Sequence, residues 1–254
     1  MRDINYSAAQ ELVITDLKVA FDKFVAVNTV SFSVRTGDLR FLIGPNGAGK
    51  TTVIDAITGL VPATGSVSVG GNELLGKKVH NVTRLGVGRT FQTASIFEKL
   101  TVQQNLDIAC GIHRSVFSLL RKPKHVDPRV TKALNTIGLA TLSQAKAGTL
   151  AHGQKQWLEI GMLLVQDAHV LLLDEPVAGM SQDERDHTGK LLKEISKDHI
   201  VMVVEHDMDF MRSFADSATV MVRGSILIQG SVQEVQDDPR VQEVYLGPKS
   251  SGGH

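Results

Sequence analysis

The chain has 254 residues, of which 42% are hydrophobic, enough for a globular protein with a sizeable core. Its 27 basic and 27 acidic residues balance, so the net charge gives no sign of the basic face that nucleic-acid-binding proteins use. The single cysteine, Cys110, excludes an internal disulfide and fits a reducing compartment. The N-terminus lacks the apolar core of a signal peptide, and the apolar runs are too short to span a bilayer. We therefore expect a subunit that is soluble by itself.

The first part of the chain predicts strands around a glycine-rich loop. Alternating apolar residues at 13–19 and 30–34 indicate antiparallel strands at a sheet edge. The apolar strand Leu39–Ile43 runs directly into the loop, and a helix is expected over residues 51–58. Residues 65–71 predict a short strand and a turn.

The remaining elements indicate a helical insertion followed by a parallel sheet. Residues 101–166 carry helical patterns, which we expect to break near Pro123 and Pro128. The runs 169–173 and 200–204 are too apolar to be half exposed, so they predict buried parallel strands joined by a helix over 183–197. Arg223-Gly224 between 219–222 and 225–228 predicts a hairpin. Residues 248–254 are expected to form a loose tail.

The glycine-rich loop has the composition of a phosphate-binding site. Residues 44–52, GPNGAGKTT, match the P-loop pattern G-x-x-x-x-G-K-[ST]. Glycines allow backbone N–H groups to curl around phosphates, and the following helix directs its positive end at them. Lys50 is expected to reach the β- and γ-phosphates and the Thr51 hydroxyl to bind Mg²⁺. The alternative, a turn with a chance lysine, does not explain the preceding strand and following helix. The predicted nucleotide-binding residues are Gly44, Asn46, Gly47, Ala48, Gly49, Lys50, Thr51 and Thr52.

Two carboxylates end the apolar run 169–173. Asp174, beside the predicted P-loop, is placed to hold the Mg²⁺ shell, and Glu175 is placed to polarise an attacking water. Taken alone, the segment could be a strand that ends in solvated acids. Its pairing with the P-loop favours the functional interpretation.

Several further segments resemble the ABC transporter ATPase family. Residues 150–154, LAHGQ, resemble the family signature LSGGQ, and 89–92, RTFQ, resemble its glutamine loop. His206 after the run 200–204 is similar to the switch histidine, and residues 178–181 stand where the D-loop lies. Together with Phe21, in the position of an aromatic ring that stacks on adenine, the resemblance covers about residues 12–230.

The resemblance implies a fold and a site. The fold would be α/β, a P-loop NTPase core of mixed sheet and flanking helices, with an antiparallel edge β-subdomain and an inserted helical subdomain at about 93–165. Residues 1–254 would form a single nucleotide-binding domain. Two ATPase subunits would close head to tail, with each ATP between one P-loop and the other signature. Its implied ligands are ATP and Mg²⁺. The catalytic residues would be Lys50, Glu175 and His206, the Mg²⁺ residues Thr51, Gln92 and Asp174, and the remaining nucleotide contacts Phe21, Ala151, Gly153 and Gln154.

Some of these residues also have structural interpretations, and some depart from the family pattern. A lone histidine after a strand or a lone glutamine is more often structural, and Phe21 is nearly as well explained as a core residue. Ala151 replaces the signature serine and so removes one hydrogen bond to γ-phosphate, about 1 kcal/mol. His152 replaces a glycine, and Ser181 stands where many members have aspartate.

The resemblance also implies partners. Membrane-spanning permease subunits, a second ATPase subunit and, indirectly, a periplasmic solute-binding protein are expected, with the chain at the cytoplasmic face of the inner membrane and no nucleic-acid partner. Residues 43–59, 91–105, 152–164 and 241–247 look like the branched-chain amino acid and urea uptake branch. Asp55, His152 and residues 156–157 and 160–162 look most like the urea importer, so urea is the first candidate solute and branched-chain amino acids the alternative.

Residues 93–100, with Phe97, are the candidate contact for a permease helix. Ile96 and Phe97 are equally well explained as core of the helical subdomain.

Two other functional classes compete with the transport motor. One is a soluble ABC-type ATPase acting on nucleic acid or ribosomes, but such proteins usually carry long insertions or two cassettes. The other is a regulatory binder without hydrolysis, which the presence of Glu175 and His206 argues against.

Overall fold

The computed structural model describes residues 11–90, 96–111 and 127–246, and in these residues the strands form two sheets. The tail predicted at 248–254 and the candidate ligand Gln92 lie outside the described residues. The strands are β1 Glu11–Phe21, β2 Phe24–Arg35, β3 Leu39–Ile43, β4 Thr64–Val69, β5 Asn72–Glu73, β6 Val87–Arg89, β7 Val170–Asp174, β8 Ile200–Glu205, β9 Ser217–Val222 and β10 Ser225–Ser231.

The larger sheet has the order β10-β9-β3-β8-β7-β6 and is parallel except for the β9–β10 pair. Every residue of β7 and β8 is buried, because helices cover both faces of the sheet. The two strands are direct parallel neighbours, so the predicted β-α-β unit is confirmed. Arg223 and Gly224 both have positive φ in the predicted β9–β10 hairpin, as a type I′ turn requires.

The smaller sheet is antiparallel with the order β2-β1-β4-β5. Residues 13–19 and 30–34 lie on its first two strands, so the prediction of antiparallel strands is confirmed. The hairpin between β1 and β2 turns at Asp22, which has a φ of 51°. This hairpin and the glycine-rich loop line one cleft.

The helices are α1 Lys50–Ile57, α2 Val79–Arg84, α3 Val102–Cys110, α4 Pro128–Thr136, α5 His152–Val165, α6 Gln182–Ser196, α7 Met208–Phe214, α8 Val232–Asp237 and α9 Pro239–Leu246. Pro123 lies outside the described residues. The helical pattern is interrupted just before Pro128, as predicted, because Asp127 is extended and α4 begins with Pro128. Its missing N–H is harmless in the first turn, and the Asp127 side chain caps the helix by accepting from Arg129 N–H at 3.0 Å. None of the helices in these described ranges is long and apolar enough to cross a membrane.

Three apolar clusters hold the fold together. One joins α1 and the antiparallel sheet to one face of the parallel sheet through Ile54 and Leu42, and a second joins α6 and α7 to the opposite face through Leu192 and Phe41. The third lies among α3, α4 and α5. Alternating residues of β3 therefore anchor both faces, which fixes the strand that presents the glycine-rich loop.

Candidate functional site

The glycine-rich loop leaves the carboxyl end of β3 and enters α1. Gly44 has a φ of 155°, and a Cβ there would lie 2.2 Å from the backbone oxygen of Met221, so only glycine fits. Gly49 caps α1 in the left-handed region with a φ of 97°. The loop forms one wall of an open cleft of about 500 Å³. Its lining contains Asn46, Gly47, Ala48, Gly49, Lys50, Thr51, Thr52 and Glu175.

Lys50 is held against the loop at the base of this cleft. Its side chain is buried, and Nζ donates to the backbone oxygens of Gly44 at 2.7 Å and Pro45 at 3.1 Å. Burial lowers the pKa of Lys50, whereas the nearby charge of Glu175 acts in the opposite direction. The ammonium group therefore stands at the position where phosphate oxygens would replace loop carbonyls as its partners.

The side-chain oxygens of Asp174 and Thr51 lie next to each other. The Thr51 hydroxyl donates to Asp174 Oδ1 at 3.5 Å, and Asp174 is almost fully buried at the end of β7. Its Oδ2 is buried and accepts no hydrogen bond from the residues that the structure describes. Burial raises the pKa of the Asp174 carboxyl, and Arg89 opposes this. A hydroxyl and a buried carboxylate fit Mg²⁺, which prefers oxygen ligands.

Glu175 and His206 face each other at the ends of neighbouring strands. His206 Nδ1 lies 3.4 Å from Glu175 Oε1, and the His206 side chain is half exposed. Glu175 adopts a φ of 48°, in the left-handed region that is strained for a residue with a side chain. The predicted catalytic residues Lys50, Glu175 and His206 thus meet at one end of the sheet, since the strands that carry or precede them are parallel.

Three further charged residues adjoin the site, and sequence reasoning gave none of them a role there. Glu205 is buried beside His206, accepts from the backbone N–H of Val177 at 3.4 Å, and has its pKa raised by burial. Arg89 at the end of β6 pairs with Asp55 and lies 3.7 Å from Asp174 Oδ2. No sequence motif predicts these contacts. The Arg89 contacts depend on the alignment of β6 beside β7, which are distant in the chain.

The aromatic ring in the cleft lining is that of Phe24. Phe21, predicted to stack on adenine, is the direct cross-strand partner of Phe24 on the β1–β2 hairpin, and it is 45% exposed, so it is not a core residue. Directly paired residues share a face of a sheet, so both rings lie on the same side. The sequence suggested one aromatic residue beside the cleft, whereas the hairpin places two on the same side.

The signature residues lie outside the lining of this cleft. Ala151 and Gln154 interact at the start of α5, where Gln154 Oε1 accepts from Ala151 N–H at 3.0 Å. The N–H of Gly153 donates to Glu184 Oε1 at 3.3 Å, and His152 Nε2 lies 3.0 Å from the backbone oxygen of Ala178. In the part of the chain that the structure describes, residues 151–154 therefore do not line the cleft of the glycine-rich loop.

Comparison with known proteins gives consistent matches over nearly the whole chain. A family model described as ABC transporter matches residues 27–178. The high-affinity branched-chain amino acid transport ATP-binding protein BraF of Pseudomonas aeruginosa is 33% identical over 248 residues, covering 93% of this chain and 97% of its own. LivG of Salmonella typhimurium, with the same description, is 34% identical with the same coverage. A crystal structure of an ABC transporter ATP-binding cassette in its ADP conformation aligns with a TM-score of 0.81 and 30% identity, covering 95% of this chain and 100% of that one.

Proposed function

Because this chain belongs to the ABC transporter family as an ATP-binding, ATP-hydrolysing subunit, we propose that it powers the uptake of a small solute, with branched-chain amino acids as the first candidate. The observation that supports ATP binding and hydrolysis is the cleft that brings residues 46–52 together with Glu175. The solute rests on the similarity to BraF and LivG, both named for branched-chain amino acid transport. The sequence alone placed urea first, and these relatives favour its alternative.

The residues of the cleft divide the work of hydrolysis. The backbone N–H groups of the loop, the start of α1 and Lys50 would hold the phosphates, and Phe24 or Phe21 would stack on the adenine. Thr51 and Asp174 would hold Mg²⁺, with Gln92 as a further candidate; when bound, the ion neutralises charge on the phosphates. Glu175 would orient and polarise the attacking water, and His206, 3.4 Å away, would hold Glu175 and contact γ-phosphate.

A second ATPase subunit would complete the site. Ala151, Gly153 and Gln154 lie at the start of α5, and a helix N-terminus attracts anions. These residues lie outside the lining of the chain's own phosphate cleft, so a second subunit in head-to-tail orientation would supply the signature. Hydrolysis then requires closure of the pair.

Phe97 supports the contact with a membrane-spanning permease. Its ring is 52% exposed, whereas Ile96 packs against the cluster of α3, α4 and α5. Buried Asn105 fixes the Phe97 backbone, accepting from its N–H at 2.7 Å and donating to its oxygen at 3.1 Å. An exposed aromatic ring on a fixed backbone is suited to docking a helix of a partner. The subunit would thus sit at the cytoplasmic face of the membrane, and a periplasmic solute-binding protein would act only through the permease.

Urea remains the second candidate solute. The residues that look most like the urea importer include Asp55 and His152, and both make specific contacts: Asp55 pairs with Arg89, and His152 lies 3.0 Å from the backbone oxygen of Ala178. These contacts concern the ATPase and do not touch a solute. Only transport itself separates the two candidates.

The test is uptake of labelled leucine and labelled urea in cells that lack this protein, complemented with wild type or with Glu175→Gln. We expect leucine uptake to be lost and restored only by wild type. Selective loss of urea uptake would reverse the order of the candidates. If both solutes enter normally, the proposed solutes are wrong. Membrane co-sedimentation then tests the alternative of a soluble ATPase acting on nucleic acid or ribosomes. A transport motor follows its permease into the membrane fraction, whereas a soluble ATPase does not.

A further inference from the structure

Arg89 links two acidic residues, Asp55 and Asp174, close to Thr51 of the phosphate cleft. Its guanidinium forms an ion pair with Asp55 of α1, and another nitrogen lies 3.7 Å from Asp174 Oδ2. The Arg89 side chain is only 9% exposed and that of Asp174 1%, so solvent weakens these interactions little. Arg89 therefore ties β6 both to α1 and to the end of β7.

Four side chains form a chain of contacts that begins and ends on α1. Thr51 and Asp55 are four residues apart on α1 and so lie on the same face of the helix. Thr51 contacts one oxygen of Asp174 at 3.5 Å, Arg89 faces the other oxygen, and Asp55 holds Arg89. The backbone N–H of Asp174 also donates to the hydroxyl of Thr90, the residue after Arg89, at 3.3 Å. Both the main chain and the carboxylate of Asp174 are thus fixed from β6.

We propose that Arg89 is a positioning residue for Mg²⁺: it orients the Asp174 carboxylate toward Thr51, and Asp55 keeps Arg89 from replacing the metal. The inference rests on the proposed Mg²⁺ role of Thr51 and Asp174. Arg89 lies outside the lining of the phosphate cleft and would act through Asp174. The negative charge of Asp55 offsets the positive charge of Arg89, so the cation beside the metal site does not repel a second cation.

The geometry distinguishes positioning from charge alone. A guanidinium offers donors in a planar fork and contacts two carboxylates at once, whereas a lysine ammonium is a point charge on a flexible stem. Arg89→Lys preserves the charge and loses the bridge. If Arg89 acts by position, lysine does not rescue its function.

The test is binding of a fluorescent ATP analogue to the isolated chain as free Mg²⁺ is titrated, with an EDTA series as baseline. For Arg89→Gln and Arg89→Lys we expect the half-saturating Mg²⁺ concentration to rise about tenfold or more, the usual effect of losing a group that orients a metal ligand. Binding in EDTA should stay at the wild-type level. Asp55→Asn should shift the Mg²⁺ dependence in the same direction, because released Arg89 then competes with the metal for Asp174.

Arg40→Gln is the matched control. Arg40 is a largely buried arginine of the same sheet, paired with Asp38 at 3.2 Å. It shares any general loss of stability, so its Mg²⁺ dependence should equal that of wild type. Asp174→Asn tests the proposed Mg²⁺ site separately from the role of Arg89. If this variant keeps the wild-type Mg²⁺ dependence, the proposed Mg²⁺ site is wrong. Suppose that Asp174→Asn abolishes the Mg²⁺ dependence. The positioning role of Arg89 is then wrong if Arg89→Gln and Arg89→Lys bind Mg²⁺ like wild type, if Arg89→Lys alone restores the wild-type Mg²⁺ dependence, or if either variant needs less Mg²⁺ than wild type. Should Arg89→Gln not fold, Asp55→Asn decides.

Discussion

Removal of the Glu184 carboxylate is expected to promote ATP-driven closure of two subunits. Glu184 accepts from the N–H of Gly153 at 3.3 Å. In the proposed pair, Gly153 contacts the γ-phosphate of the ATP that the other subunit holds. A carboxylate at the start of α5 occupies the place that suits a phosphate, since both are anions at a helix N-terminus. The γ-phosphate and Glu184 therefore compete for one N–H group, and Glu184→Ala removes the competitor.

The size of the effect follows from the contact. Hydrogen bonds to charged groups contribute about 1.5–3 kcal/mol. This one is long at 3.3 Å, and Glu184 is half exposed, so screening reduces it and we take about 1 kcal/mol. That corresponds to about a fivefold shift in the closure equilibrium.

Glu234 supplies a matched control. Glu184 caps α6 by accepting from Ser181 N–H at 3.0 Å, and Glu234 caps α8 in the same way by accepting from Ser231 N–H at 2.7 Å. Both alanine variants lose a capping box, so both should melt at a slightly lower temperature. Light scattering with ATP, in a Glu175→Gln background and with the second ATPase subunit where one is needed, measures closure. If Glu184→Ala closes no more readily than Glu234→Ala, competition for Gly153 is refuted.

Three other outcomes are expected. Glu175→Gln should bind ATP with wild-type affinity while phosphate release falls at least about a hundredfold, because the water-polarising carboxylate is gone; comparable turnover would remove Glu175 from its role. Phe97→Asp should abolish co-sedimentation with permease-containing membranes and leave ATP binding intact, since the ring is 52% exposed and not core; unchanged sedimentation would show that the contact lies elsewhere. Burial lowers the pKa of His199 below its ordinary value of 6.5, so the unfolded chain takes up a proton that the folded chain does not, and stability falls as the pH drops below about 6.5. His199→Gln should therefore lose less melting temperature than wild type between pH 7.5 and 5.5, and an identical loss would show that His199 does not contribute.

Local sequence patterns were enough to predict the elements that position the phosphate site. The strand β3, the loop and α1 follow from an apolar run, glycines with required backbone conformations, and a helical continuation. The parallel pair β7 and β8 follows from runs too apolar to face solvent. In each case the signal lies within a short segment, and the side-chain period or backbone requirement sets it.

Contacts between distant segments were not predictable in this way. The contacts of Arg89 with Asp55 and Asp174 need β6 to lie beside β7, and a three-residue strand is too short to be predicted from its sequence pattern. The register of the β1–β2 hairpin decides that Phe24 lines the cleft beside Phe21, and a sequence does not fix that register alone. The cis contact of Gly153 with Glu184 depends on how α5 packs against α6.

The two helix N-termini of the proposed site differ in a way that would make the proposed closure depend on ATP. At α1 the loop N–H groups and Lys50 present positive charge to the open cleft, so a phosphate binds there without displacing an anion. At α5 the Glu184 carboxylate already accepts from Gly153. A nucleotide held only at α1 therefore leaves α5 occupied, and ADP has no third phosphate to compete for it. In the proposed pair only ATP would bring a γ-phosphate that can replace Glu184. The loss of that phosphate on hydrolysis would return Gly153 to Glu184 and favour opening.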